Sequence, residues 1–281
     1  MFTPVVTIAI PIYNGMPYLR DTIQSVLNQT YQDWILYLVN DGSTDGSLTL
    51  MKSFAKGDQR IHIINDGENH GLIQRLNQSI SICRTKYYAR MDADDIMYIT
   101  RIEEQVKFLE SHPEVDVCGS SIMTIDKNNN IIGSGYSKGK VSSFFHPTVM
   151  GKTEWFKANP YAKWALRAED FELWTRSEES SVFCSIEKPL LFYREFGVPT
   201  FKKYYLSQIT LIRIARRYVN YNKPVSWYFK IIISSYLKIA IGALLYITGK
   251  MDVLVSMRRR SSIPEKLKLK EEDLWTSISL S

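Results

Sequence analysis

"VTIAIPIYNGMPYLRDTIQSVLNQTYQDWILYLVNDGSTDGS", residues 6–47, holds one full cycle of the pattern that decides the fold. The apolar, β-branched run Val5–Ile10 has Thr7 as its one polar residue and reads as a buried strand. Residues 18–28 read as a helix, "WILYLV" (34–39) as a second strand, and residues 47–55 as the helix after it. The pairing continues along the chain. "IHII" (61–64) precedes a helix over 72–82, and "YYARM" (87–91) precedes one over 101–111. Thr100 and Glu103 give that last helix the T-x-x-E spacing of a capping box. "VDVCGS" (115–120) adds a fifth strand. Such alternation predicts an α/β fold: a mostly parallel sheet with flanking helices on both faces.

Beyond Ser120 the period changes. Residues 121–135 read as a hairpin turning at 127–130, residues 146–195 as a loop-rich lobe, and the chain past Thr200 as helical and basic. Between Lys202 and Lys270, 15 Lys/Arg face 2 Asp/Glu, a local balance of +13 in a chain of net charge +6, so the rest carries −7. An acidic body with a basic tail points to a polyanionic partner, membrane headgroups or nucleic acid. No recognition motif accompanies the basic residues, which argues against nucleic acid. Cys83, Cys118 and Cys184 form no CxxC pair and sit in apolar runs, as expected of reduced core residues in an intracellular protein. "VVTIAIPIYN" is too short and too punctuated for a cleavable leader.

An open α/β sheet binds its ligand beyond the carboxyl ends of its strands. The segments at those positions are "PIYNG", "NDGSTDGS", "NDGENHG" and "DADD", all polar and rich in Gly, Asn or Asp. Each alone could be a turn; four at one edge point to a site. Carboxylates at Asp92, Asp94 and Asp95 repel one another and are costly to bury unpaired. A hard divalent cation, Mg²⁺ or Mn²⁺, resolves that conflict, since it is held by one or two carboxylates plus substrate phosphates. In an extended segment Asp92 and Asp94 share a face, leaving Asp95 to cap the following turn. No GxGxxG opens a helix, which counts against a dinucleotide oxidoreductase.

The stretch quoted at the outset, "ARMDADD" (89–95) and "RAEDFELW" (167–174) resemble, in order and spacing, the family 2 glycosyltransferases. The resemblance runs from about Val5 to Arg194. It implies a GT-A (Rossmann-like) fold, a nucleotide-diphosphate sugar donor, a UDP-sugar first, and inversion at the anomeric carbon. It divides the chain into a glycosyltransferase domain over 1–200 (nucleotide-sugar half 1–120, acceptor half 121–200) and a helical C-terminal extension over 201–281. Carried over by position, it places Pro11, Tyr13 and Asn14 in the base pocket and lets Asp41 accept a hydrogen bond from the base. Asn69 and Gly71 come near the ribose and phosphates. Asp92 approaches the ribose or a metal-bound water, and Asp94 takes the metal. Asp170 is the base that accepts the acceptor hydroxyl's proton, Glu169 orients the acceptor or its loop, and His146 borders the acceptor site. Read by residue type alone, Tyr13 could be a core aromatic, Asp41 could close an Asx turn, and Glu169 and Asp170 could be an ordinary acidic helix start. Trp155, Trp164 and Trp174 read as core more than as sugar platforms. "ANPYAKWAL" (158–166) departs from the Gly-rich run that precedes the family's ED pair, and the QxxRW signature of processive members is absent, which implies single-sugar transfer.

The tail segment 229–250 has 18 residues, Ile231–Thr248, with Lys238 as the one charge, long enough to span a bilayer. Lys238 near its middle opposes spanning. Lys230, Ser234, Lys238 and Gly242 recur every four residues as a less apolar stripe. That stripe fits a helix in the membrane interface, with Arg258–Arg260 on anionic headgroups. A soluble core helix is the alternative. The sequence thus predicts a metal-dependent, non-processive sugar transferase, peripheral on the cytoplasmic face of a bacterial membrane, acting on a glycan or lipid-linked acceptor. A silent sugar-nucleotide binding protein and a nucleotidyltransferase are the rivals.

Overall fold

A computed structural model describes residues 4–195, 197, 200–219, 221, 223–256 and 263–279. The alternating first half folds as the apolar periods require. Strands β1 (Val6–Ile12), β2 (Trp34–Asn40), β3 (Ile61–Ile64) and β4 (Tyr87–Arg90) alternate with helices α1 (Leu19–Leu27), α2 (Ser47–Gly57) and α3 (Leu72–Ile82). These four strands pair in parallel in the order β3-β2-β1-β4. Val6, Ile8, Ile10 and Ile12 of β1 are fully buried in one core with Leu36 and Leu38 of β2, Ile23 of α1 and Met51 of α2. A central strand covered on both faces needs this near-continuous apolar run.

After the two-residue strand β5 (Ile96–Met97), helix α4 spans Arg101–Ser111. The expected capping box does not form there. Thr100 Oγ1 donates to Glu104 Oε1 at 2.5 Å, while Glu103 accepts from Thr30 at 2.7 Å and Lys107 at 2.6 Å. The longer ion-paired reach competes better than the bond back to the backbone.

The expected fifth strand and the first arm of the hairpin are one strand, β6 (Val117–Ile125). It turns at Asp126, whose Oδ1 accepts from the Asn128 and Asn130 backbones at 2.8 and 2.9 Å, into β7 (Ile131–Gly135). Strands β8 (Gly139–Lys140), β9 (Met150–Lys152) and β10 (Phe183–Arg194) complete the sheet, in the order β3-β2-β1-β4-β9-β6-β10-β5 with β7 on β6 and β8 on β10. The half built from β1 to β4 is parallel and the other half mixed, because β9 runs antiparallel between β4 and β6. Short helix α5 (Thr153–Ala158) follows β9, and α6 (Glu169–Ser177) precedes β10.

The chain past Thr200 is helical as expected, in α7 (Phe201–Tyr218), α8 (Val225–Ile247), α9 (Val253–Ser256) and α10 (Glu271–Ile278). By compactness the chain forms two units. One holds residues 1–160, 181–195 and 261–281; the other holds 161–180 and 196–260. This division differs from a boundary at residue 200, for two physical reasons. Helix α6 joins α7 and α8, with Ala168 and Phe171 packed on Ile214, Tyr218 and Trp227, and the Tyr218 hydroxyl bonded to buried Glu172. The end of the chain returns to the sheet, where Ile263, Leu269 and Leu274 complete an apolar cluster with Ile96, Met123, Ile125 and Phe192. Asn28 Nδ2 of α1 holds the Ser277 and Ser279 carbonyls at 3.1 and 2.7 Å. Arg258–Arg260 lie outside the described residues.

Candidate active site

The loops at the carboxyl ends of β1, β2 and β3 are tied into one surface by backbone-directed bonds. Asn14 adopts a left-handed φ of 52° and bridges to the β2 loop, its N–H donating to Ser43 Oγ at 3.1 Å and its Oδ1 accepting from Thr44 N at 2.8 Å. Tyr13 beside it is 58% exposed, which excludes the core-aromatic reading. Pro11 pairs with Val39 of β2, one position before the ladder ends at Ile12 and Asn40.

Asp41 is nearly buried and does not close a local Asx turn. Its Oδ1 instead accepts from His70 N at 2.7 Å, Gly71 N at 3.2 Å and Arg75 Nε at 2.9 Å. Asn69 Nδ2 donates to the Asp41 carbonyl at 3.0 Å. The carboxylate therefore satisfies the orphan N–H groups where α3 begins. Two glycines permit the approach: Gly71 has φ 83°, and at Gly42 (φ 71°) a Cβ would lie 3.0 Å from the Asn69 nitrogen. Beneath them Arg75, fully buried, also holds both oxygens of Asp66 and the Glu68 carbonyl. Arg75 was not among the residues read from the sequence. Its sign there was a charge beside Ile73 and Leu76, on the buried side of a helix that follows an acidic loop.

The fourth loop is a turn, not an extended segment, and this changes the expectation for its acids. Carboxylate oxygens of Asp92, Asp94 and Asp95 all lie within 4.8 Å of one another. Asp95 does not cap the next turn. It is fully buried, its Oδ1 accepts from Arg194 N at 2.8 Å, and its Oδ2 has no hydrogen-bond partner among the described residues. Burial first, then the Asp92 charge, pushes the Asp94 carboxyl up to about 6. Burial and the charges of Asp92 and Asp94 raise Asp95 as well. Arg90, buried at the end of β4, pairs with Asp92. The guanidinium of Arg194 secures the rim from the other side: Nε donates to the Asp94 carbonyl and Nη1 to the Asp126 carbonyl, both at 2.8 Å, over the Tyr18 ring. No sequence signal marks Arg194, which lies 100 positions beyond Asp94. An all-oxygen donor set, crowded enough to raise its own carboxyl groups and holding one unpartnered buried oxygen, fits a hard divalent cation.

His146 opens a short 3₁₀ turn and is half-buried. Desolvation, then the Arg90 charge, holds its imidazole well below the usual histidine range, so it is neutral at physiological pH.

In the second unit, Glu169 and Asp170 open α6, where the dipole favours acids. Glu169 is buried; Asp170 is half-exposed, and its Oδ1 accepts from Phe171 N at 2.8 Å. Trp164 carries the Arg217 guanidinium over its ring at 5.3 Å, and Trp174 is buried. In the first unit Trp155 donates to Ser181 Oγ at 2.8 Å and packs edge-on against Phe156 and Phe183. All three indoles are thus committed to packing.

The sequence model of "Glycosyl transferase family 2" matches residues 7–167. An uncharacterized glycosyltransferase of Haemophilus influenzae is 31% identical over 239 residues, covering 78% of this chain and 74% of that one. TuaG of Bacillus subtilis, which carries the name of a teichuronic acid biosynthesis glycosyltransferase, is 33% identical over 44% of this chain and 49% of its own. Among solved structures, Staphylococcus aureus TarS in complex with UDP-GlcNAc aligns at a TM-score of 0.65 and 14% identity, covering 83% of this chain and 72% of that one. The mannosyltransferase PcManGT of Pyrobaculum calidifontis, in complex with GDP-Man and Mn²⁺, aligns at 0.61 and 15%, covering 99% and 86%. The chain belongs to glycosyl transferase family 2. It is a glycosyltransferase of GT-A fold with relatives in bacterial polysaccharide synthesis.

Proposed function

We propose that this protein transfers a single sugar, with inversion, from a nucleotide-diphosphate sugar to a glycan or lipid-linked acceptor in bacterial envelope polysaccharide synthesis. The donor is a UDP-sugar, and the reaction takes place at the cytoplasmic face of the membrane. The observation that carries this reading is the convergence of Asp92, Asp94 and Asp95 at the same sheet edge as the Asp41-centred loops.

In this reading Pro11, Tyr13 and Asn14 form the base pocket, and the exposed Tyr13 ring packs against the base. Asp41 accepts from the base, preset by Arg75 and the α3 N–H groups. Asn69 and Gly71 flank the ribose and phosphates. Asp94, with Asp92, would hold Mn²⁺ or Mg²⁺, which when bound offsets the negative charge on the diphosphate leaving group. Asp170 accepts the proton of the attacking hydroxyl, and Glu169 and His146 orient the acceptor. A neutral His146 suits that task, since it adds no cation to compete for the acids. Inversion requires the base and leaving group on opposite faces of the sugar, by analogy with inverting glycosidases.

The deciding experiment is nucleotide release from a panel of UDP-, GDP- and dTDP-sugars with and without Mn²⁺. UDP formation that needs Mn²⁺ and is lost in Asp94→Ala is expected. Release of pyrophosphate would replace this reading with nucleotidyl transfer, and no turnover with any donor would leave a sugar-nucleotide binding protein.

A further inference from the structure

Helix α8 is long and apolar enough to cross a bilayer, yet little of it is buried. Its packing is the reverse of a soluble helix. The side turned to α7 is small: Ser235 is buried, and at Gly242 a Cβ would lie 2.6 Å from the Tyr204 ring. Phe201 of α7 stacks on Tyr246 at 5.3 Å. The two helices therefore run antiparallel side by side. The large apolar residues point elsewhere. Val225, Phe229, Ile233, Leu237, Leu244 and Ile247 are between 48% and 81% exposed. At about 100° per residue they form one stripe, roughly opposite Ser235 and Gly242. Lys230 lies at the margin of that stripe, and Lys238 falls on the far side. The less apolar residues Lys230, Ser234, Lys238 and Gly242 fall in one sector of about 120° beside the apolar stripe, from exposed Lys230 round to the α7 contact at Gly242.

Charge identifies what covers the stripe. Together α7 and α8 carry seven cations (Lys202, Lys203, Arg213, Arg216, Arg217, Lys230 and Lys238) and no Asp or Glu. A second copy of this surface would bring like charge against like charge. An anionic bilayer supplies the opposite sign and an apolar phase together. Spanning is opposed by α7, which lies alongside and would carry five cations into hydrocarbon.

We propose that α8 lies in the plane of an anionic membrane, its Val225-to-Ile247 stripe sunk to the acyl boundary and Lys230, at the margin of that stripe, among the headgroups. This rests on the membrane-side function proposed above and deepens it by naming the surface and the depth.

The test is co-flotation of the full chain with vesicles of phosphatidylcholine alone or with 30% phosphatidylglycerol (about that fraction sets a strongly negative surface). Wild type and an Ile82→Asp control, whose change is on α3, are expected to float with the anionic vesicles and to be released by alkaline carbonate. Ile233→Asp/Leu244→Asp is expected to lose binding at least about tenfold while keeping its circular dichroism and its hydrolysis of the donor in solution. Retained hydrolysis separates this proposal from the sugar-transfer reading. Equal flotation of the double variant, or resistance of the wild type to carbonate, overturns the in-plane anchor. So does a wild-type dimer that the double variant converts to monomer, which would assign the stripe to a second copy.

Discussion

Arg194 holds the acidic loop by two routes at once: its backbone N–H donates to the Asp95 carboxylate and its Nε to the Asp94 carbonyl, each at 2.8 Å. The last residue of the last strand thus sets the geometry of a loop laid down a hundred positions earlier. Replacing Arg194 with Met keeps the backbone bond but strips partners from the Asp94 and Asp126 carbonyls. A loss of about 1 to 3 kcal/mol in urea unfolding is expected, since the part-buried Asp94 carbonyl is left unmet while the Asp126 carbonyl keeps the Asn129 N–H. Mn²⁺ affinity by calorimetry should fall with it, and Arg194→Lys should recover only part, because a single ammonium cannot span both carbonyls.

Asp94 gives a pH signature. Its carboxyl is raised to about 6 by burial and by Asp92, so the folded chain without metal holds a proton that the unfolded chain, at about 3.9, has released. Where the native state binds more protons, stability falls as pH rises. Stability of the metal-free protein should therefore decline from about pH 4 to 6 on account of this group. Mn²⁺ binding requires the ionised form and should weaken below about pH 6. Thermal unfolding with and without Mn²⁺ across that range checks both signs. Asp94→Asn should flatten both profiles and lower donor turnover on the order of a hundredfold or more.

Arg75→Met should be among the most damaging changes in the first unit. It leaves Asp41 buried without its cation, at a cost of about 3 to 5 kcal/mol. Asp41→Asn in the same background removes the stranded charge and should return a good part of that loss. Equilibrium denaturation of the two single variants and the pair measures the coupling. A coupling indistinguishable from zero would mean that the pair does not organise the pocket.

Asp170→Asn tests the base without touching the donor loops. Transfer should drop by about 10² to 10⁴, while donor affinity measured by calorimetry stays within a factor of about three, an effect under 1 kcal/mol. If the amide retains full transfer activity, the proton goes elsewhere.

Much of the scaffold was open to reading because it follows from local chemistry. Apolar runs such as Val6–Ile12 and Trp34–Asn40 have one stable use, the interior of a covered parallel sheet, and the helix positions follow from their apolar period. The Gly- and Asp-rich loops were also legible, since an open sheet places its polar loops at one edge. The capping box at Thr100 failed because a second acid, Glu104, offered the hydroxyl a partner outside the backbone.

By itself, the sequence determined the alternating α/β half, the place of the acidic loop at its carboxyl edge, and a helical tail whose first two long helices carry no acid. Tertiary structure alone decided which groups answer those acids. Arg75 reaches Asp41 across 34 positions and Arg194 reaches Asp94 across 100, and a partner so distant leaves no period or spacing in the chain. It also decided that Asp95 turns inward to Arg194, and that α8 spends its small face on α7 and leaves its large apolar one outside. The reason is common to all of these: propensity acts over a few residues, whereas burial and charge pairing are settled only once distant segments share the same space.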